Sequence, residues 1–231
     1  MQILSERRFA VAAFVTLVLF WGSAFTVIKV GLDYSPPMLF AGMRALFGGS
    51  AVGLAALVWS GKPHLRREWV VYLLLMLLNV VFFLGLQTLA IMNLPSGTAA
   101  VLIYLQPILT GLLAYLILGE SLQVTKLVGL LLGFAGIVAV SAEGLSGTVS
   151  PMGIAFAVVA ALSWALGTVY FKKAQEKVPL LWAIAIPFTF GGIVLTTFGL
   201  LTEPVSGITW NPALVASLLY AALIGTGLAY V

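Results

Sequence analysis

Arg44 stands inside a long apolar stretch, with Phe40-Ala41-Gly42-Met43 before it and Ala45-Leu46-Phe47 after it. If a helix starts at Pro36, the guanidinium lies about 12 Å along it, at 1.5 Å rise per residue. An arginine at that depth in a membrane costs at least ~2.5 kcal/mol on insertion scales, so it is expected to face a cavity or a partner. Its planar fork of donors suits a carboxylate or a phosphate. Two readings stay open: a clamp for an anionic substrate group, or a structural arginine bonded to helix-end carbonyls and water. The seven acids (Glu6, Asp33, Glu68, Glu120, Glu143, Glu176 and Glu203) all fall at loops or helix ends, so none lies at mid-depth to pair with it.

Other polar and aromatic residues recur at helical spacing in apolar surroundings. Asn79, Phe83 and Gln87 lie at i, i+4 and i+8, which predicts one shared helix face. Amides in lipid need partners, so that face should turn inward, as a cavity wall or as an interhelical hydrogen-bonding seam. Tyr104, Gln106 and Pro107 form a second cluster, in which Pro107 removes a helical hydrogen bond and frees a carbonyl for a hinge, a substrate contact or a packing kink. Trp21 and Trp164 sit near the middle of their apolar stretches rather than at an interface, where tryptophan usually anchors. They read as core packing or as facing aromatic walls of one cavity. Glu120 follows an apolar run and reads as a solvated helix end, or as a gate paired with Lys126. Lys29 and Lys172 read as snorkelling helix-end lysines, and Tyr72 and Tyr115 as interface anchors.

The elements that position these residues follow from hydropathy. Of 231 residues, 62% are apolar and 8% charged, against about 25% charged in soluble domains. That leaves too little polar surface for a water-soluble globule and excludes a cytosolic enzyme, an extracellular domain and a disordered tail. Charges and Pro/Gly clusters divide the chain into eight apolar segments, near 9–29, 36–60, 69–91, 96–118, 123–141, 152–171, 179–201 and 213–231. Segments of this length predict membrane-spanning helices, and the period-two alternation of a membrane barrel is missing. The stretch Phe9–Ile28 is too long, and its Phe20-Trp21 centre too bulky, for a cleaved signal peptide, so it reads as a retained span.

The net charge of +4 reports orientation rather than nucleic-acid binding. With a cytoplasmic N-terminus, the inner segments hold Arg7, Arg8, Lys62, Arg66, Arg67, Lys126, Lys172, Lys173 and Lys177, nine cations, and the outer side holds Lys29 alone. That bias predicts a multi-pass protein of the cell membrane, a bacterial inner membrane by expectation, with its N-terminus inside. Cysteine is absent, and the one histidine, His64, falls in a predicted loop. No metal or cofactor is expected. An intramembrane enzyme would need acids or histidines clustered at one depth; none is visible, and no phosphate-binding G-x-x-x-x-G-K-[ST] loop appears.

The chain also repeats itself. Trp21, Lys29 and Pro36 recur as Trp164, Lys172 and Pro179, each at an offset of 143. A repeat unit of five spans is odd, so the second copy enters the membrane from the opposite face, the inverted-repeat layout of many secondary transporters. The expected organisation is a first repeat over 1–141, a linker over 142–151, and a second, incomplete repeat of three spans over 152–231. The sequence therefore reads as eight of ten expected spans. Gly129 and Gly133, with Gly136 one turn on, have the spacing of close helix approach, within the chain or across a homodimer.

With these residues in place, the chain resembles the drug/metabolite transporter superfamily, in particular its EamA-type ten-helix members. Trp21-Gly22-Ser23-Ala24-Phe25 is similar to that family's opening motif, and Met43-Arg44 to the arginine of its second helix. The best match runs from Pro95 to Gly136, with Pro107 mid-helix, Leu118-Gly119-Glu120 closing that helix, and a glycine-rich fifth helix. The resemblance implies two five-helix halves around a central cavity and alternating-access transport of small metabolites such as amino acids, often outward. Arg44, Trp21, Asn79, Phe83, Gln87, Tyr104, Gln106 and Trp164 are the candidate substrate-binding residues, with Pro107 and Glu120 as hinge or gate. Two alternatives remain at this point. One is a non-transporting scaffold or receptor, which would be expected to carry long loops or a recognition domain. The other is a proton-coupled multidrug exporter, which would want a membrane-embedded acid.

Overall fold

A computed structural model describes residues 2–63, 65–121, 124–141 and 150–228. Helices follow one another along them: α1 Gln2–Leu32, α2 Pro37–Trp59, α3 Leu65–Asn93, α4 Ser96–Leu118, α5 Val124–Ser141, α6 Pro151–Ala174, α7 Leu180–Thr202, and α8 from Pro212 to Leu228. No strand occurs among the described residues. The helices α2, α3, α4, α6 and α7 are each long and apolar enough to cross a membrane. Shorter apolar stretches, Val18–Leu32, Leu127–Gly136 and Pro212–Gly225, lie where the first, fifth and eighth spans were expected. His64, most of the 142–151 linker and the side chain of Lys126 lie outside the described residues.

Proline sets most helix starts. Pro37, Pro151 and Pro212 occupy the first turn of α2, α6 and α8, where a missing N–H costs nothing. Ser150 and Asn211 cap α6 and α8 by accepting from the Gly153 and Leu214 amides. The first turn of α2 is capped from a distance. Its Met38 and Leu39 amides donate to the Glu203 carboxylate, at the far end of α7, over 2.9–3.1 Å. A carboxylate there satisfies orphan donors and meets the positive end of the helix dipole.

Two irregularities bear on the site. Within α3, residues Leu77–Phe82 form a π-helical turn, and α8 continues from Tyr220 to Leu228 in the same form. In α4 the helix breaks at Tyr104-Leu105, between Ser96–Ile103 and Gln106–Leu118. Pro107 causes the break: its nitrogen cannot bond the Ile103 carbonyl, but it fits the first turn of the second segment.

The core is built around α2 and α7, which pack antiparallel along their length. Their contact is backbone on backbone. A Cβ at Gly42 would collide with Thr196, at Gly49 with Phe188 and Thr189, at Gly192 with Leu46, and at Gly199 with Leu39. Around this pair α3 packs on α6 and α7, α1 on α8, and α4 on α6, with α5 lying against α4. Gly129, Gly133 and Gly136 of α5 have no described atom within 4 Å of a Cβ position, and among the described residues the close backbone approach occurs at α2 and α7.

Two helix-end expectations are corrected. Lys29 does not snorkel: its Nζ donates to the Ile91, Met92 and Leu94 carbonyls at 2.6, 3.0 and 3.3 Å, capping the end of α3. Tyr72 is no interface anchor: it is 3% exposed and donates to Glu68 Oε2 at 2.7 Å. Tyr115 is 49% exposed.

Candidate functional site

A space of about 560 Å³, counting the part that is open to the surroundings, lies where α1, α2, α3, α4, α6, α7 and α8 converge. Six of the eight candidate residues line it: Trp21, Arg44, Phe83, Gln87, Tyr104 and Trp164. Five separate helices supply them, so the site exists only in the folded bundle. Among the described lining residues Arg44 alone carries a formal charge.

Arg44 is 5% exposed. Its Nη2 donates to Gln87 Oε1 at 2.8 Å and lies 3.4 Å from Thr88 Oγ1. The Thr88 hydroxyl donates to the Leu84 carbonyl one turn back, which leaves its oxygen to face the arginine. The Gln87 amide adds no charge of its own beside the guanidinium. In a water-poor site Coulomb attraction between a guanidinium and an anion is stronger than in water.

Aromatic side chains supply much of the rest of the lining. Trp164 stacks on Phe83 with ring centroids 4.5 Å apart and planes 19° apart. Trp21 meets Trp164 edge-on at 5.7 Å. The two tryptophans, 143 residues apart in sequence, thus touch, forming one wall rather than two facing ones. Phe25 lies 5.5 Å from the Tyr104 ring, and the Tyr104 hydroxyl donates to the Trp21 carbonyl at 3.3 Å. The Pro107 break places Tyr104 here, in the turn between the two segments of α4.

The remaining candidates lie elsewhere, for reasons rooted in helix geometry. Asn79 sits within the π turn, whose i→i+5 winding spoils the i, i+4 alignment with Phe83. Its amide packs over Gly167 of α6 and borders a separate space, about 590 Å³ including its open part, that Trp164 also lines. Gln106 follows the break in α4, does not line the central cavity, and donates to Thr110 and Thr168 Oγ1 at 2.8 and 3.4 Å. Pro107 and Glu120 line a third cavity, between α4, α5 and α6. The partner of Glu120 is Lys172, whose Nζ lies 2.5 Å from Oε1. Sequence reading missed Ala24, Phe25, Ile28, Leu84, Phe188, Ala221 and Gly225 in the central lining. Apolar residues in apolar helices carry no signal that separates a cavity wall from a lipid face.

The EamA-like transporter family model matches residues 8–142 and again 151–231. The chain belongs to the EamA-like transporter family. It is 42% identical over 207 residues to YvbV of Bacillus subtilis (strain 168), named an uncharacterized transporter, covering 90% of this chain and 68% of that one. It is 30% identical over 231 residues to a probable amino-acid metabolite efflux pump of Salmonella typhimurium, covering 93% of this chain and 73% of that one. A crystal structure 22% identical in sequence shares the fold, with a TM-score of 0.71 over 94% of this chain and 77% of the other. Family and helices together make this a multi-pass membrane protein of a transporter family.

Proposed function

We propose that this chain belongs to a secondary transporter that exports small metabolites of the amino-acid class by alternating access. The observation that carries the reading is Arg44: a buried cation held by Gln87, facing a cavity walled by Trp21, Phe83, Tyr104 and Trp164. Such a site suits a carboxylate joined to an apolar body. A cationic drug would meet a like charge there, and the described lining offers no carboxylate to offset it. The name of the Salmonella relative supports the amino-acid class and the outward direction.

Alternating access needs two halves that can exchange roles. Several features support an inverted repeat with an offset of 143. The family model matches twice. The π turns begin at Leu77 and Tyr220, which differ by 143. Small residues on α2, at Gly42, Gly49 and Ala56, correspond at that offset to Ala185, Gly192 and Gly199 on α7. The contacts α3 on α6 and α8 on α1 are the two copies of one contact under the same relation. We place the N-terminus in the cytoplasm of a bacterial inner membrane, from the nine-to-one cation bias.

The test is flux in vesicles. Wild-type protein should move at least one carboxylate-bearing member of an amino-acid panel, and Arg44→Ala should lower kcat/KM at least tenfold. A folded full-length protein that moves nothing across the panel removes the transport reading. Normal transport by Arg44→Ala removes only the anion clamp.

A further inference from the structure

Three candidate residues left outside the central cavity, Gln106, Pro107 and Glu120, lie together between α4 and α6. On α6, Trp164, Thr168 and Lys172 fall at i, i+4 and i+8, a stripe on one face that runs from the central cavity to the helix end. Facing it on α4 are Gln106, Pro107 and Thr110, and then Glu120 beyond the helix end. Gly119, at φ +68°, ends α4 in the left-handed conformation, and the Glu120 amide folds back to the Ala114 carbonyl at 3.4 Å. That turn brings the Glu120 carboxylate to Lys172.

The spaces along this stripe share walls. Trp164 and Phe188 border both the central cavity and the one behind it. Thr168 borders that second space and a third, of about 1180 Å³ including its open part, whose lining includes Pro107, Thr110, Glu120, Ser121 and Lys172. Hydroxyl and amide groups mark the way: Gln106 donates to Thr110 and Thr168, and Thr168 donates to the Trp164 carbonyl. The ion pair stands at the mouth, with its side chains 40% and 53% exposed. A pair that open to solvent adds little to stability and opens cheaply. The opposite ends of the bundle are tied differently, by Glu203 on α2 and Lys29 on α3, which satisfy helix-end groups.

We propose that the α4–α6 track is the cytoplasmic vestibule of the transport route, and that Glu120 and Lys172 there receive the ammonium and the carboxylate of a zwitterionic amino acid. The two side chains present one negative and one positive group at the mouth of a mostly apolar space that carries the Thr110, Ser121 and Thr168 hydroxyls. That is the complement of a zwitterion, which exchanges their ion pair for two new ones. The carboxylate then passes along the Thr168 and Gln106 side to Arg44. This inference rests on the transport reading above.

The experiment uses the full chain in vesicles and measures transport from the cytoplasmic face. The probes are L-leucine, L-phenylalanine and their N-acetyl derivatives, which keep the carboxylate but lose the ammonium. The expected result is that Glu120→Gln raises KM for the free amino acids about tenfold, with kcat little changed, and leaves KM for the N-acetyl probes as it was. Lys172→Met should raise KM for both kinds of probe, and Glu120→Asp should restore most of the loss. An equal effect of Glu120→Gln on free and acetylated probes marks the pair as a staple and overturns the proposal. If that variant does not fold, wild-type protein gives the answer: the proposal needs a higher KM for the N-acetyl probes, and equal values overturn it. Wild-type protein that moves no amino acid of the panel overturns the transport reading itself.

Discussion

At the scale of the residue, the site is an arginine held by an amide. Gln87 supplies Oε1 at 2.8 Å and adds no charge. Replacing it with a carboxylate keeps the shape and cancels the field. Gln87→Glu should therefore raise KM for carboxylate substrates by tenfold or more while leaving the melting temperature unchanged or higher; parallel flux and thermal-melt measurements check both halves. A drop in melting temperature with unchanged KM would count against Arg44 as the anion's partner. Six of the eight candidate residues were legible as one site because mid-depth polar and aromatic groups in lipid have few places to go. Asn79 and Gln106 were not, because a π turn and a proline break shift the phase of their helices. Strict 3.6-residue counting has no term for either. The 143 offset also pairs Arg44 with Pro187, so the proposed two-fold relation does not extend to the charge.

At the scale of the element, close packing is decided by what stands opposite. Gly129, Gly133 and Gly136 advertise a small-residue stripe, yet nothing lies within 4 Å of their Cβ positions. The seven-residue spacing of Gly42, Gly49 and Ala56, and of Ala185, Gly192 and Gly199, was equally visible in the sequence. Spacing alone did not say which stripe meets another backbone. Gly192→Val should be strongly destabilising, by about 1–3 kcal/mol or more for overpacking, because its Cβ would enter the backbone of α2 at Leu46. Gly129→Val should stay within about 0.5 kcal/mol, as expected for a position away from such contacts. Detergent-solubilised thermal melts of the two variants separate these outcomes; similar melting temperatures would refute the seam's role.

At the scale of the whole molecule, orientation is the clearest untested consequence of the sequence. The chain has no cysteine, so a single introduced thiol reports its own side of the membrane. Ser206→Cys, between α7 and α8, should react with a membrane-impermeant maleimide in intact cells. Ser60→Cys, after α2, should react only once the cells are opened. The reverse pattern would invert the topology and move the proposed vestibule to the outer face. The number and order of the helices were legible because hydropathy and proline placement act locally. Which helices touch was not, because apolar faces look alike to a lipid tail and to a neighbouring helix.

The contact between α2 and α7 has a mechanical consequence. Interdigitated side chains lock two helices like the teeth of gears. Glycines set against backbone leave few teeth, so the two rods lie flush along a smooth line. Such a joint resists being pulled apart, because its atoms are close along the whole length, and offers little resistance to rocking about that line. The alternating access proposed for this chain would need one axis that stays shut throughout. This seam has the build of a bearing.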